Sequence, residues 1–143
     1  MKLAILSLVA VVALGTPAAA QQGGYAVIVN EANSVSTLSA EEVSKIFFKK
    51  THRWTSGQDV VPVDLPESAP AREAFSAAVH GKSVGAVRAF WQQQIFSGRA
   101  VPPVEKPSDE QVVAFVRATP GAIGYVSAGA PLTAGVRRVQ VIR

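Results

Sequence analysis

The feature that most constrains this chain is a hand-over between two hydrophobic periods. The run YAVIVN (Tyr25–Asn30) is β-branched, apolar and of strand length, which predicts a strand buried on both faces. After the polar connection EANSVST comes LSAEEVSKIFF, a helix start with a full set of stop-and-start signals. Ser39 is placed to accept from the amide of Glu42 while the Glu42 carboxylate reaches back, and Leu38 can pack onto Val43. Val43, Ile46 and Phe47 then fall on one helical face. A continuous apolar strand run giving way to a 3.6-residue helical period so early points to helices packed on a sheet.

The rest of the chain repeats the theme. KKTHRWTSGQD reads as a loop and VVPVDL (Val60–Leu65) as a second strand, with Pro62 suggesting an edge or a bend. A helix from about Ala69 to Val79 is closed by Gly81, suited to the left-handed residue after a helix. Ser83 opens VGAVRAFWQQQIF, which ends at Gly98, and VPPVEKP is an extended linker. Ser108 with Gln111 repeats the capping pattern before DEQVVAFVRA, and Thr119-Pro120-Gly121 stops that helix. AIGYVS and RRVQVIR are the closing strands. Three or four strands with about four helices predict an α/β fold with a small mixed sheet.

Residues 1–20 stand apart from this pattern. Lys2, the apolar stretch Leu3–Leu14 and Ala18-Ala19-Ala20 match a secretory signal peptide cleaved after Ala20. The apolar stretch is short of the roughly 20 residues that span a bilayer. The expectation is a secreted, periplasmic chain with no membrane span after cleavage. Residues 21–143 then form a single domain that has no cysteine and relies on its apolar core. The net charge of +4 falls to +3 without Lys2, a mild and scattered excess that fits nucleic-acid binding poorly in an exported protein.

Several motif matches fail on context. GKSVG (Gly81–Gly85) fits the hydrolase G-x-S-x-G pattern, but a helix precedes it and both histidines, His52 and His80, lie upstream of Ser83. The simpler reading is that Gly81 ends one helix and Ser83 caps the next. GKS also echoes a phosphate loop, but Ser76 stands where that loop needs its first glycine. No spacing suits a metal site, so neither metal nor cofactor is expected. His80 at a helix end suggests a protonated ring facing the dipole. Trp54, Phe90 and Trp91 read as core packing rather than a stacking platform. Lys49, Lys50, His52 and Arg53 read as a solvated helix end, with an acidic docking partner as the sharper alternative. With no nucleophile–base constellation, the chain is expected not to be an enzyme.

The segments LSAEEVSKIFFKKTHRW, VVPVDL, IFSGR and VRATPGAIGYVS, in this order, resemble phosphate ABC transporter substrate-binding proteins, from about Val27 to Ser127. LSAEEVSKIF followed by Arg53-Trp54, and PGAIGYV (Pro120–Val126), carry most of the likeness. The resemblance implies a type 2 periplasmic binding protein-like fold, which normally has two lobes with the anion held between them. This chain has room for about one. In those relatives an arginine and then Ser-Gly-Thr sit at the strand-to-helix turn. The matching positions in DLPESAPAREAF are Leu65 and Ala69-Pro70-Ala71, so the phosphate site is degenerate. Ser68 and Arg72 remain near the helix start as anion-binding candidates; a plain Ser68 cap and an exposed Arg72 are the alternative reading.

Two functions follow. One is binding of a small anion or polar solute at Ser68 and Arg72. The other is a non-transport envelope module, whose former inter-lobe face meets another envelope protein or its own copy.

Overall fold

The computed structural model describes residues 24–143; the signal peptide and cleavage point expected from the sequence lie outside the described residues. Six strands form one sheet: β1 (Tyr25–Asn30), β2 (Thr37–Ser39), β3 (Val61–Asp64), β4 (Val104–Glu105), β5 (Ala122–Ser127) and β6 (Val136–Ile142). Their order is β2-β6-β1-β5-β3-β4. Central β1 runs antiparallel to β5 and β6, while β3 is parallel to β5 and β4, and β2 is parallel to β6. The helices are α1 (Ala40–Phe47), α2 (Pro70–Phe75), α3 (Val84–Phe96) and α4 (Asp109–Ala118).

The central strands take their composition from being covered on both sides, and every residue of β1 is buried. Tyr125 faces α1 and α2, where Phe75 stacks on it at 3.9 Å and Phe47 meets Phe75 edge-on. The opposite side of β5 faces α4. There Gly124 leaves room for Val112 of α4 and for Val63 of β3, which a side chain at this position would strike. Asn30 ties α4 to the sheet, its amide donating to the carbonyls of Val116 and Arg117 at 2.9 Å each, where α4 runs out of internal donors.

The local signals hold where they are strongest. Ser39 and Glu42 form the reciprocal capping box of α1, and Ser83 caps α3 by accepting from Ala86. Ser108 accepts from Gln111 at the start of α4. Gly81 and Gly98 adopt φ of 63° and 68° after their helices.

Three details differ from expectation. Six strands rather than three or four occur among the described residues, because short β2 and β4 pair along the sheet edges, β2 where the polar connection meets the helix start and β4 within the linker. Pro62 is tolerated although β3 has neighbours on both sides. The amide of Val61 points to β5, so that of residue 62 points to β4, which pairs only from Val63 onward. And α2 widens into a π-helical turn at Ser76–His80. Buried Ser76 is bonded across it: its hydroxyl donates to Lys82 O at 2.7 Å, and its carbonyl accepts from Gly81 and Lys82.

Candidate functional site

In parallel α/β units, ligands meet the carboxyl ends of strands where successive helices leave to opposite faces. Adjacent β3 and β4 make such a point. The helix after β3 packs on the Tyr125 face and the helix after β4 packs on the Gly124 face. The turn from Leu65 to Ala69 forms one side of this point, and the segment Lys106–Ser108 forms the other. Lys106 joins them by donating its amide to Asp64 O at 2.9 Å.

Ser68 and Arg72 both belong to this region but do not point the same way. Ser68 is exposed at the turn. The helix cap falls one residue later, on Ala69, which offers no side-chain acceptor, so Ser68 is not the N-cap. Arg72 is only 6% exposed, which corrects the alternative of an exposed arginine. Its Nη1 donates to Leu65 O at 2.7 Å and lies 3.5 Å from Asp64 Oδ1. Tyr125 completes the group: its hydroxyl donates to the same Asp64 oxygen at 2.7 Å and accepts from the Leu65 amide at 3.3 Å. Two charges and a phenol are thus tied together beneath the helix start.

Burial governs the titration of this group. It pushes the Asp64 carboxyl up to about 6, with Arg72 and the Tyr125 hydrogen bond opposing the rise. Tyr125 is raised far above the usual phenol range, first by burial and then by the Asp64 charge. At pH 7 the charge of Arg72 is therefore largely matched by Asp64.

The amides of α2's first turn are spoken for as well. Those of Arg72 and Glu73 both return to Ala69 O, at 2.9 and 3.3 Å, and Pro70 has none. Ala71 is left as the first-turn amide without a partner among the described residues, and it is buried. A phosphate needs several convergent donors. Here it would find one hydroxyl, one recessed amide and two nearby acids, Glu67 and Glu73. Two surface hollows, of about 490 and 650 Å³, lie along α4 and between α2 and α3, and neither is lined by Ser68 or Arg72.

A second polar pair was not legible in the sequence. Ser44 Oγ and His80 Nδ1 lie 2.7 Å apart across 36 residues, with His80 packed against Phe48 and Phe75. Burial and the charges of Arg72 and Lys82 lower His80 to about 4, so the ring is neutral at pH 7. This overturns the expected protonated ring at the helix dipole. A hydroxyl–imidazole pair invites comparison with a nucleophile and its base. Among the described residues no acid orients the other ring nitrogen, and Ser83 of the G-x-S-x-G match is a helix cap. Trp54 and Trp91 are buried, and the Trp54 indole donates to Gly121 O at 2.9 Å.

No protein-family model matches the chain, and no curated protein matches it in sequence. Solved structures do match. An ABC-type phosphate transport receptor from Vibrio cholerae superposes with a TM-score of 0.65 and 20% identity, over 82% of this chain and 46% of the receptor. The fold is that of about one half of such a receptor. A putative phosphate ABC transporter substrate-binding protein from Clostridium perfringens, solved with bound phosphate, gives the same TM-score at 21% identity, over 82% and 44%. PstS from Borrelia burgdorferi gives 0.59 at 13% identity, over 88% and 53%. The chain thus spans about half the length of these proteins. No helix among the described residues is long and apolar enough to cross a membrane.

Proposed function

We propose that the chain is an exported, non-enzymatic binding lobe of the substrate-binding-protein type in which the phosphate chemistry of the β3–α2 turn has lapsed. Its ligand is a small polar solute at the carboxyl ends of β3 and β4, with Ser68 at the rim and Arg72 behind it. The observation that carries this reading is the inward commitment of Arg72 to Leu65 O and Asp64. A lobe serving a dianion would keep that cation, and the helix amides around it, for the ligand. Support for binding rather than catalysis comes from the structural neighbours, which are named as receptors and substrate-binding proteins.

The test is a thermal-shift screen of the protein against phosphate, sulfate, other oxyanions and polar solutes. A ligand at 100-fold over its dissociation constant adds about 2.7 kcal/mol of stability, an unmistakable rise in melting temperature. Phosphate and sulfate are expected to leave the melting temperature unchanged, and a polar solute to raise it in a way that Ser68→Ala reduces. A rise with phosphate that Ser68→Ala abolishes would refute the lapsed site. A flat response to every solute would refute solute binding and leave contact with another protein as the function.

A further inference from the structure

Five large apolar side chains stand exposed among the described residues, and four of them fall within ten positions. Ile95 is 53% exposed, Phe96 95%, Val101 63% and Val104 45%. They occupy the last turn of α3, the loop that follows and edge strand β4. Scattered exposed apolar residues are ordinary, but four so close in sequence, one of them a nearly bare phenylalanine, are not.

The group begins at the end of an anchored helix. Val87 and Trp91 anchor α3 to the body, and Phe48 packs on Phe90 and Trp91 at 4.9 and 6.2 Å. Phe96 lies five residues beyond Trp91, about 7.5 Å farther along the axis. Gly98 in the left-handed region closes the helix, and Arg99 folds back by donating its amide to Gln94 O at 2.9 Å. Pro102 and Pro103 stiffen the exit and deny amides to any added strand.

The segment that carries these residues is basic up to Val104. From Lys82 to Val104 the chain carries Lys82, Arg88 and Arg99 and no acidic residue; Glu105 is the first acid after it. Arg88 is engaged by Glu67, but Arg99 has no acidic partner among the described residues. The same holds for Lys49 and Lys50, which follow Phe48 on the flank of α3.

We propose that the end of α3 and its loop form a docking tip for an anionic lipid surface. Ile95, Phe96 and Val101 enter the headgroup boundary, and Arg99, with Lys49 and Lys50, meets the anionic headgroups. This is docking in the plane of the interface, not a span, and it does not depend on the solute-binding reading.

The absence of cysteine allows one environment-sensitive fluorophore to be placed at Val101→Cys and, as a control on α4, at Glu110→Cys. The full chain is titrated with phosphatidylcholine vesicles with and without phosphatidylglycerol. The probe at 101 is expected to shift to the blue only with phosphatidylglycerol, and the probe at 110 to stay silent. Adding Phe96→Ser is expected to weaken the apparent affinity by about tenfold or more, the effect of withholding one aromatic side chain from an apolar phase. Phe96→Leu should largely retain binding, and raising the salt should weaken it. Because the readout is local to residue 101, attachment through the apolar leader would leave it unchanged. Silence at 101 with anionic vesicles, or an equal response in Phe96→Ser, would overturn the proposal. An equal response to polyglutamate would assign the tip to an acidic polypeptide, and a response to protein concentration alone would assign it to a second copy. Either would overturn the lipid assignment.

Discussion

Replacing Arg72 by Met keeps most of the side chain's volume and deletes its charge. In the native protein this guanidinium is 6% exposed, bonded to Leu65 O and paired with Asp64, itself 7% exposed. Removing one partner of a buried pair costs about 3–5 kcal/mol, because the other charge is left without compensation. That is a large share of the 5–15 kcal/mol by which a domain is stable. The loss should depend on pH. Burial already holds Asp64 near 6 with Arg72 beside it, and removing the arginine removes the main influence that lowers it. The carboxyl then goes higher still and stays protonated at mildly acidic pH. At pH 5 only the orphaned Leu65 carbonyl and lost packing remain, about 1–3 kcal/mol. Urea unfolding at pH 5 and pH 8, with the slope unchanged, measures the difference. We expect Arg72→Met to lose about 2 kcal/mol more at pH 8 than at pH 5, and Asp64→Asn in the same chain to restore part of the loss at pH 8. A loss below about 1 kcal/mol at pH 8, or one independent of pH, would refute the account of this pair as a buried, mutually dependent group. The same reasoning makes Arg72 a poor site for testing ligand binding, since its removal acts on the core first.

The two histidine- and aspartate-centred groups should oppose each other in acid. Asp64, raised from 3.8 to about 6, holds a proton in the folded state that the unfolded chain has released, so its contribution to stability falls as pH rises from about 4 to 6. His80, lowered from 6.5 to about 4, does the reverse, and its contribution rises between about 4 and 6.5. Each amounts to about 3 kcal/mol, so the two nearly cancel. Urea midpoints should show His80→Gln becoming progressively less stable than the wild type across this window; a constant difference would show that His80 is not held neutral. Lys49 sits at φ 56° just past α1, where its amide and that of Lys50 close the helix onto Ile46 O and Lys45 O. Lys49→Gly should raise stability by about 0.5–1 kcal/mol, read from the melting temperature, and a fall would mean that the lysine makes compensating contacts.

Much of the architecture is written locally. YAVIVN, AIGYVS, the Ser39–Glu42 box and the glycines after α2 and α3 were legible because each depends on neighbours within about four residues. Sequence pattern also located the β3–α2 turn and showed that Ala69-Pro70-Ala71 is poor in donors. It could not define β2 or β4, two- and three-residue strands that exist only because a partner strand lies alongside. Nor could it orient Arg72. A first-turn arginine reads as exposed until Asp64 and Tyr125, 61 positions apart in sequence, meet beneath it. The Ser44–His80 pair, 36 positions apart, has the same origin. Periodicity and capping are short-range and survive in the bare sequence. The direction of a buried charge is set by whichever distant groups can satisfy it, and only the folded chain brings those groups together.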